Sequence, residues 1–192
     1  MVLRGRPAER VRRSAVRVLV VISLVVGSSV VGATGAVAYA PIGRTVQITS
    51  VVDGTCIEAV EILGRSFVYS AGCTGGADQD WVFTCLGDEQ IPSCDVGGGY
   101  QVLNIVHADT GLCLDRDYNA TPGKEHDRLY LGPCLGVTVD HTWAFKPMPE
   151  FGGFILGGFP CVTRTGIGAR LRLSECWHAP TADSVWRTYH PV

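Results

Sequence analysis

After residue 40 the chain alternates apolar and polar positions in short runs, broken by Gly, Pro, Asp and Asn. A period of two marks strands with one buried face, and the breakers mark turns. Longer apolar runs lie at Val46 to Val52, Tyr100 to Val106 and Phe154 to Leu156. No segment of this part carries a convincing helical period. Asp53-Gly54 and Asp109-Thr110-Gly111 follow two of these runs, where Gly tolerates the positive φ of a tight turn. The pattern predicts an all-β domain.

The pattern also repeats three times. The first unit holds Cys56-Ile57-Glu58, then Cys73, then Trp81; the second holds Cys113-Leu114-Asp115, Cys134 and Trp143; the third holds Cys161-Val162-Thr163, Cys176 and Trp186. The first-to-second Cys intervals are 17, 21 and 15, and the second-Cys-to-Trp intervals are 8, 9 and 10. Leu129-Tyr130-Leu131 and Leu171-Arg172-Leu173 precede the second Cys of their units, with Phe67-Val68-Tyr69 near the same place in the first. Each unit is too small to bury its own apolar face, so the three share one core. One Trp per unit, in phase, suits that core.

All eight Cys fall after residue 40. With no C-x-x-C pair, zinc ligation is disfavoured and disulfides are expected. Strand-to-strand pairing within each unit predicts Cys56–Cys73, Cys113–Cys134 and Cys161–Cys176, leaving Cys85–Cys94 to close the insertion between the first two units.

Charge changes the picture of the first 40 residues. Six Arg against one acid, Glu9, leave +5 there, while the rest of the chain holds 10 bases against 17 acids, leaving −7. An acidic domain is a poor partner for phosphate backbones, so no nucleic-acid role is expected. The basic start precedes an uncharged Val-rich run from Val18 to Val31. Ala36-Val37-Ala38 and Ala38-Tyr39-Ala40 both offer an A-x-A cleavage site. Residues 1–40 therefore read as an export signal, with an uncleaved anchor as the alternative. Residues 41–192 read as one secreted domain, with units at about 44–84, 98–146 and 152–190. After cleavage no membrane contact is expected.

The threefold recurrence of Cys, aliphatic residue, second Cys and Trp resembles the ricin B-type lectin family, a β-trefoil. The resemblance covers about residues 44–190 and implies twelve strands, with one potential sugar pocket per unit. Each such pocket uses an Asp two residues after the first Cys, a ring shortly before the second Cys, and a polar residue, usually Gln, two before the Trp. A carboxylate accepts hydrogen bonds from neighbouring hydroxyls, and an aromatic face packs on the C–H face of a sugar. Carried over, the first unit has Glu58 at the Asp position and no ring near Ala71, but keeps Asp78 and Gln79. The second has Asp115, a ring position near Gly132 with Tyr130 as a substitute under a register shift, and Asp140-His141 before the Trp. The third has Thr163, Ser174 and Asp183-Ser184. The expected carbohydrate-binding residues are Asp115, Tyr130, Asp140 and His141, followed by Asp78 and Gln79. A turn-solvating role for Asp115 and Asp117 is the plain alternative.

The chain has no G-x-S-x-G, H-E-x-x-H or P-loop motif. A non-catalytic lectin-like module without a cofactor or metal is expected, its partner a glycan or polysaccharide. The rival expectation is a trefoil with degenerate pockets that binds protein, as toxin subunits and trefoil inhibitors do. A surface-retained structural module is a third. Aromatics outside the repeat core, Tyr118, Phe151, Phe159, Trp177 and Tyr189, would mark either kind of interface. Asn119-Ala120-Thr121 is a glycosylation sequon in a glycosylating host.

Overall fold

The computed structural model describes residues 39–86, 94–95, 97–116, 129–135, 140–157, 160–176 and 178–190. The leader through residue 38, Asp117, Tyr118, Phe159, Trp177 and the Asn119 sequon lie outside the described residues. The first unit supplies β1 (Thr45–Ser50), β2 (Cys56–Ile62), β3 (Arg65–Ala71) and β4 (Trp81–Cys85). The second supplies β5 (Gln101–His107), β6 (Cys113–Arg116), β7 (Leu129–Gly132) and β8 (Trp143–Met148). The third supplies β9 (Gly153–Leu156), β10 (Cys161–Thr163), β11 (Ala169–Arg170), β12 (Arg172–Ser174) and β13 (Trp186–Tyr189).

The first and last strands of each unit close a ring. β1 pairs with β4, β4 with β5, β5 with β8, β8 with β9, β9 with β13, and β13 with β1, all antiparallel. Closure leaves this barrel no free edge. The hairpins β2–β3, β6–β7 and β10–β12 form the remaining layer. They meet through Phe67 opposite Tyr130, and through Ala169 and Arg170 opposite Ser70 and Tyr69. Six barrel strands and three hairpins make a β-trefoil, as the family resemblance implies.

One strand departs from the expected twelve. In the third unit the strand before the second Cys is split at Leu171: β11 pairs with β3, and β12 pairs with β10. Leu171 is buried, and its amide donates to the Val68 carbonyl at 3.0 Å. The chain changes partners there because β10 is only three residues long and offers no further ladder.

The predicted turns form as the sequence requires. Gly54 and Gly111 have φ of 70° and 67°, and their amides donate to the Ser50 and His107 carbonyls. Burial along β5 alternates residue by residue, the period-two pattern of its sequence. Inside the barrel Phe145 stacks on Phe154 at 4.2 Å, and Phe83 meets both edge-on. Trp81, Trp143 and Trp186 are fully buried. Their indole N–H groups donate to the carbonyls of Ile57, Leu114 and Val162, at 3.0, 2.9 and 3.1 Å. Each acceptor is the residue after the first Cys of that unit, so one bond repeats three times and ties hairpin to barrel. The disulfides are Cys56–Cys73, Cys85–Cys94, Cys113–Cys134 and Cys161–Cys176. Loops of this size contribute about 3 kcal/mol per bridge in the chain-entropy model.

Candidate functional site

The ladders fix which side chains share a face. Asp115 on β6 lies directly opposite Tyr130 on β7, and Cys113 lies opposite Gly132. Directly opposed residues point to the same face of an antiparallel pair, as do residues two apart on one strand. Asp115, Tyr130 and Gly132 therefore share one surface. A Cβ added to Gly132 would lie 2.7 Å from Asp115 Oδ2 and 3.6 Å from Tyr130 Cε2. The missing side chain at 132 is what lets the carboxylate and the ring lean over it. Tyr130 thus shares the face of Asp115 and Gly132 in the register the ladder has.

The turn before β8 adds the other half. His141 Nδ1 lies 3.0 Å from Asp115 Oδ2, and both side chains are about 95% buried. The Asp140 carbonyl accepts from the Arg116 amide at 3.2 Å, which locks the turn onto β6. The Arg116 guanidinium lies over the Trp143 ring at 5.2 Å, holding the same corner from outside. Burial pushes the Asp115 carboxyl above its ordinary pKa, and the Asp140 charge adds to the rise. His141, the Arg116 backbone N–H and the Tyr130 hydroxyl oppose it without cancelling it. Among the described residues, Oδ1 of Asp115 and Oδ1 of Asp140 are buried with no hydrogen-bond partner. The structure thus brings Asp115, Tyr130, Asp140 and His141 into one corner with two acceptors unused.

The first unit repeats this layout with a different outcome. Glu58 lies opposite Tyr69, and Cys56 opposite Ala71. The equivalent of Tyr130 is therefore Tyr69, one step further along than its flanking Leu pattern suggests. Gln79 occupies the His141 position and is fully buried. Its amide donates to Glu58 Oε2 at 2.8 Å and to the Gly72 carbonyl at 2.9 Å, and its oxygen accepts from the Thr74 amide at 2.8 Å. Asp78, beside it, is exposed. The two do not converge: one is consumed inside the unit and the other faces solvent.

In the third unit the Thr163 hydroxyl bonds the Ser174 hydroxyl, and the Ser184 hydroxyl donates to the Thr181 carbonyl at 2.8 Å. Asp183 turns elsewhere, to Arg164 at 2.8 Å, and the same guanidinium reaches Asp53 at 2.9 Å. That bridge joins the third unit to the first-unit turn, and the sequence repeat gave no sign of it, because it crosses units. Among the described residues no group of His, Cys, Asp and Glu could hold a metal. Of the exposed-aromatic candidates, Phe151 packs against buried Met148, Ile155 and Val185, whereas Tyr189 is exposed.

No family model matches the chain, and no curated protein matches it. Solved structures do. A designed threefold symmetric protein, ThreeFoil, superposes with a TM-score of 0.56 at 16% identity, covering 77% of this chain and 99% of that one. The Macrolepiota procera ricin B-like lectin in complex with lactose gives 0.54 at 15% identity, covering 80% and 100%. The Haemophilus ducreyi cytolethal distending toxin gives 0.55 at 15% identity, covering 77% and 84%. Identities this low speak to the fold alone. Closed barrel, three hairpins, three in-phase Trp bonds and these superpositions agree: the chain is a β-trefoil with the fold of ricin B-like lectins, shared also with toxin proteins.

Proposed function

We propose that the protein is a secreted, non-catalytic carbohydrate-binding module whose working pocket lies in the second unit. The observation that carries this reading is the pair of unused acceptors on Asp115 and Asp140 beside Tyr130 and His141. A buried acceptor without a donor is costly, and vicinal sugar hydroxyls are donors of the right spacing. The Tyr130 ring offers an apolar face for the C–H side of the sugar. Asp115 and His141 are almost wholly withdrawn from water, so the ligand enters edge-on, hydroxyls first. With the equivalent corners of the other two units filled by their own side chains, the Asp115 corner acts as a single site. No general acid–base pair is assigned here, and no turnover of a polysaccharide is expected.

A glycan array probed with the oxidised protein tests the reading, with Asp115→Asn as the isosteric control. Binding that this substitution abolishes is the expected result. Binding that survives it would move the pocket elsewhere. The rival is protein recognition through a trefoil without working sugar sites. It is favoured by the complete internal bonding of Gln79, which closes the first unit's equivalent of the Asp115 corner to a ligand. Absence of glycan binding by folded protein would decide for it.

Export belongs to the same proposal, and four disulfides suit an oxidising compartment. Of the two A-x-A positions, the one ending at Ala38 is preferred. Ala40 packs in the main core, and its buried amide donates to Gln101 Oε1 at 2.6 Å. Cleavage after Ala40 would delete that contact. Intact mass of the exported protein should correspond to a chain beginning at Tyr39. A chain beginning at Pro41 would refute the preference.

A further inference from the structure

A second feature lies on the barrel wall, where the first unit meets the third. Strands β1 and β13 present Gln47 directly opposite Tyr189, and Thr49 opposite Arg187. Gln47, Thr49 and Tyr189, with Gly54, Thr74 and Gly75, line an open depression of about 590 Å³. We propose that this depression is a saccharide site of its own, taking a neutral sugar. It shares the ligand class of the proposed function but no residue with the Asp115 corner.

Four observations carry the assignment. First, Gln47 is 2% exposed, and its Nε2 has no hydrogen-bond partner among the described residues. An amide donor left without an acceptor inside a protein is unfavourable, and an acceptor brought by a ligand relieves it. A sugar hydroxyl or acetamido carbonyl is such an acceptor. Second, Tyr189 is 54% exposed beside it, a platform for the C–H face of a sugar ring. Third, the depression is held open. Gly54 and Gly75 have φ of 70° and 73°, and a Cβ at either would meet no atom within 4 Å. The rim at Thr74 is fixed by the Cys56–Cys73 bridge and by the bond from the Thr74 amide to Gln79. A preset rim saves the ordering cost of binding. Fourth, no lining residue carries a charge, so the ligand is neutral. The volume falls within the range of small-molecule sites, enough for one or two sugar rings.

The pseudo-symmetry shows that this arrangement is particular to one seam. At the equivalent wall positions the second unit places Asn104 beside Thr84, and the third places Ile155 beside Lys146. Neither pair includes an aromatic ring, so the amide-and-ring combination is an addition to the common fold.

The test is an NMR titration of the isotope-labelled, oxidised protein with lactose and with N-acetylglucosamine. Amide shifts at Thr49, Gly54, Thr74 and Gly75 are expected with at least one sugar, and Asp115→Asn should leave them intact. Tyr189→Ala should weaken this binding about tenfold. Gln47→Leu should weaken it as well while leaving Tm equal or higher, since it removes the orphan amide. Shifts confined to the second unit would overturn the seam site and leave the Asp115 reading standing. Shifts confined to the seam would do the reverse. No shift with either sugar, or seam binding unchanged in both variants, would also overturn the proposal.

Discussion

The first and second units put an acid and its partner at the same ladder positions and end with opposite electrostatics. Gln79 carries a donor and an acceptor on one group, so it satisfies Glu58, Gly72 and Thr74 together. His141 brings one ring nitrogen to one oxygen of a shorter acid and leaves the other oxygen unused. At the neighbouring position Ala71 supplies a side chain where Gly132 has none. A repeat can therefore preserve the hairpin while deciding, by one or two side chains, whether a corner is filled from within or left open to a ligand.

The sharpest way to break this comparison is to empty the filled corner. Gln79→Ala strands the Thr74 amide and the Gly72 carbonyl and opens a void, at an expected cost of about 2–4 kcal/mol by urea unfolding. Glycan binding at the Asp115 corner should not change. A cost near zero would mean that Gln79 does not hold the first unit together.

Next comes the open corner. Asp115→Asn should weaken glycan binding tenfold or more, about 1.4 kcal/mol, while Glu58→Gln should leave it unaltered. The pH dependence has a defined sign. The folded protein holds the Asp115 proton to higher pH than the unfolded chain does, because burial raises its pKa. This group's contribution is whole below the ordinary carboxylate value and declines as pH rises through the raised one. Unfolding curves across that window should show the decline in the parent protein and a flatter profile in Asp115→Asn.

Smaller still is the effect of Gly132→Ala. Its new Cβ would press on Asp115 Oδ2, the oxygen that His141 holds, so the carboxylate must shift by a few tenths of an ångström. About 1 kcal/mol of stability is expected to be lost, with glycan binding weakened alongside. Retained binding at full affinity would show that the carboxylate need not lean over residue 132.

The smallest effect belongs to the Asp53 seam. Burial would raise this carboxyl, but hydrogen bonds from the Thr55 hydroxyl and amide, the Arg164 charge and a hydrogen bond from Ser50 together outweigh it. Its contribution is present above the ordinary carboxylate value and is lost as pH falls through the lowered one, opposite in sign to Asp115. The site is partly exposed and screened, so Asp53→Asn should only blunt the acid limb of the stability profile.

The repeating signals were legible because each is set within one unit. Period-two alternation places β5; Asp-Gly and Asp-Thr-Gly place two turns; the Cys spacing gives the bridges; the in-phase Trp residues give the core. The candidate corner was legible as a set of residues at Asp115, Tyr130, Asp140 and His141, because the repeat numbers them. The sequence did not reveal that Gln79 would be spent on backbone groups, since that depends on where the loop at Gly72 and Thr74 closes. Nor did it show that Tyr130 would fold over Gly132, a matter of side-chain direction across a hairpin.

By itself the sequence determined an all-β chain of three similar units, a shared aromatic core and four cross-links. Those follow from local periodicity and from residue types that recur in register. Tertiary structure alone decided which acid keeps a free oxygen, which guanidinium bridges the third unit to the first, and where Gln47 meets Tyr189. The first depends on side-chain direction across a hairpin, and the other two on strands from different units arriving side by side. A pattern read along one chain carries no record of the distance between residues more than a hundred positions apart.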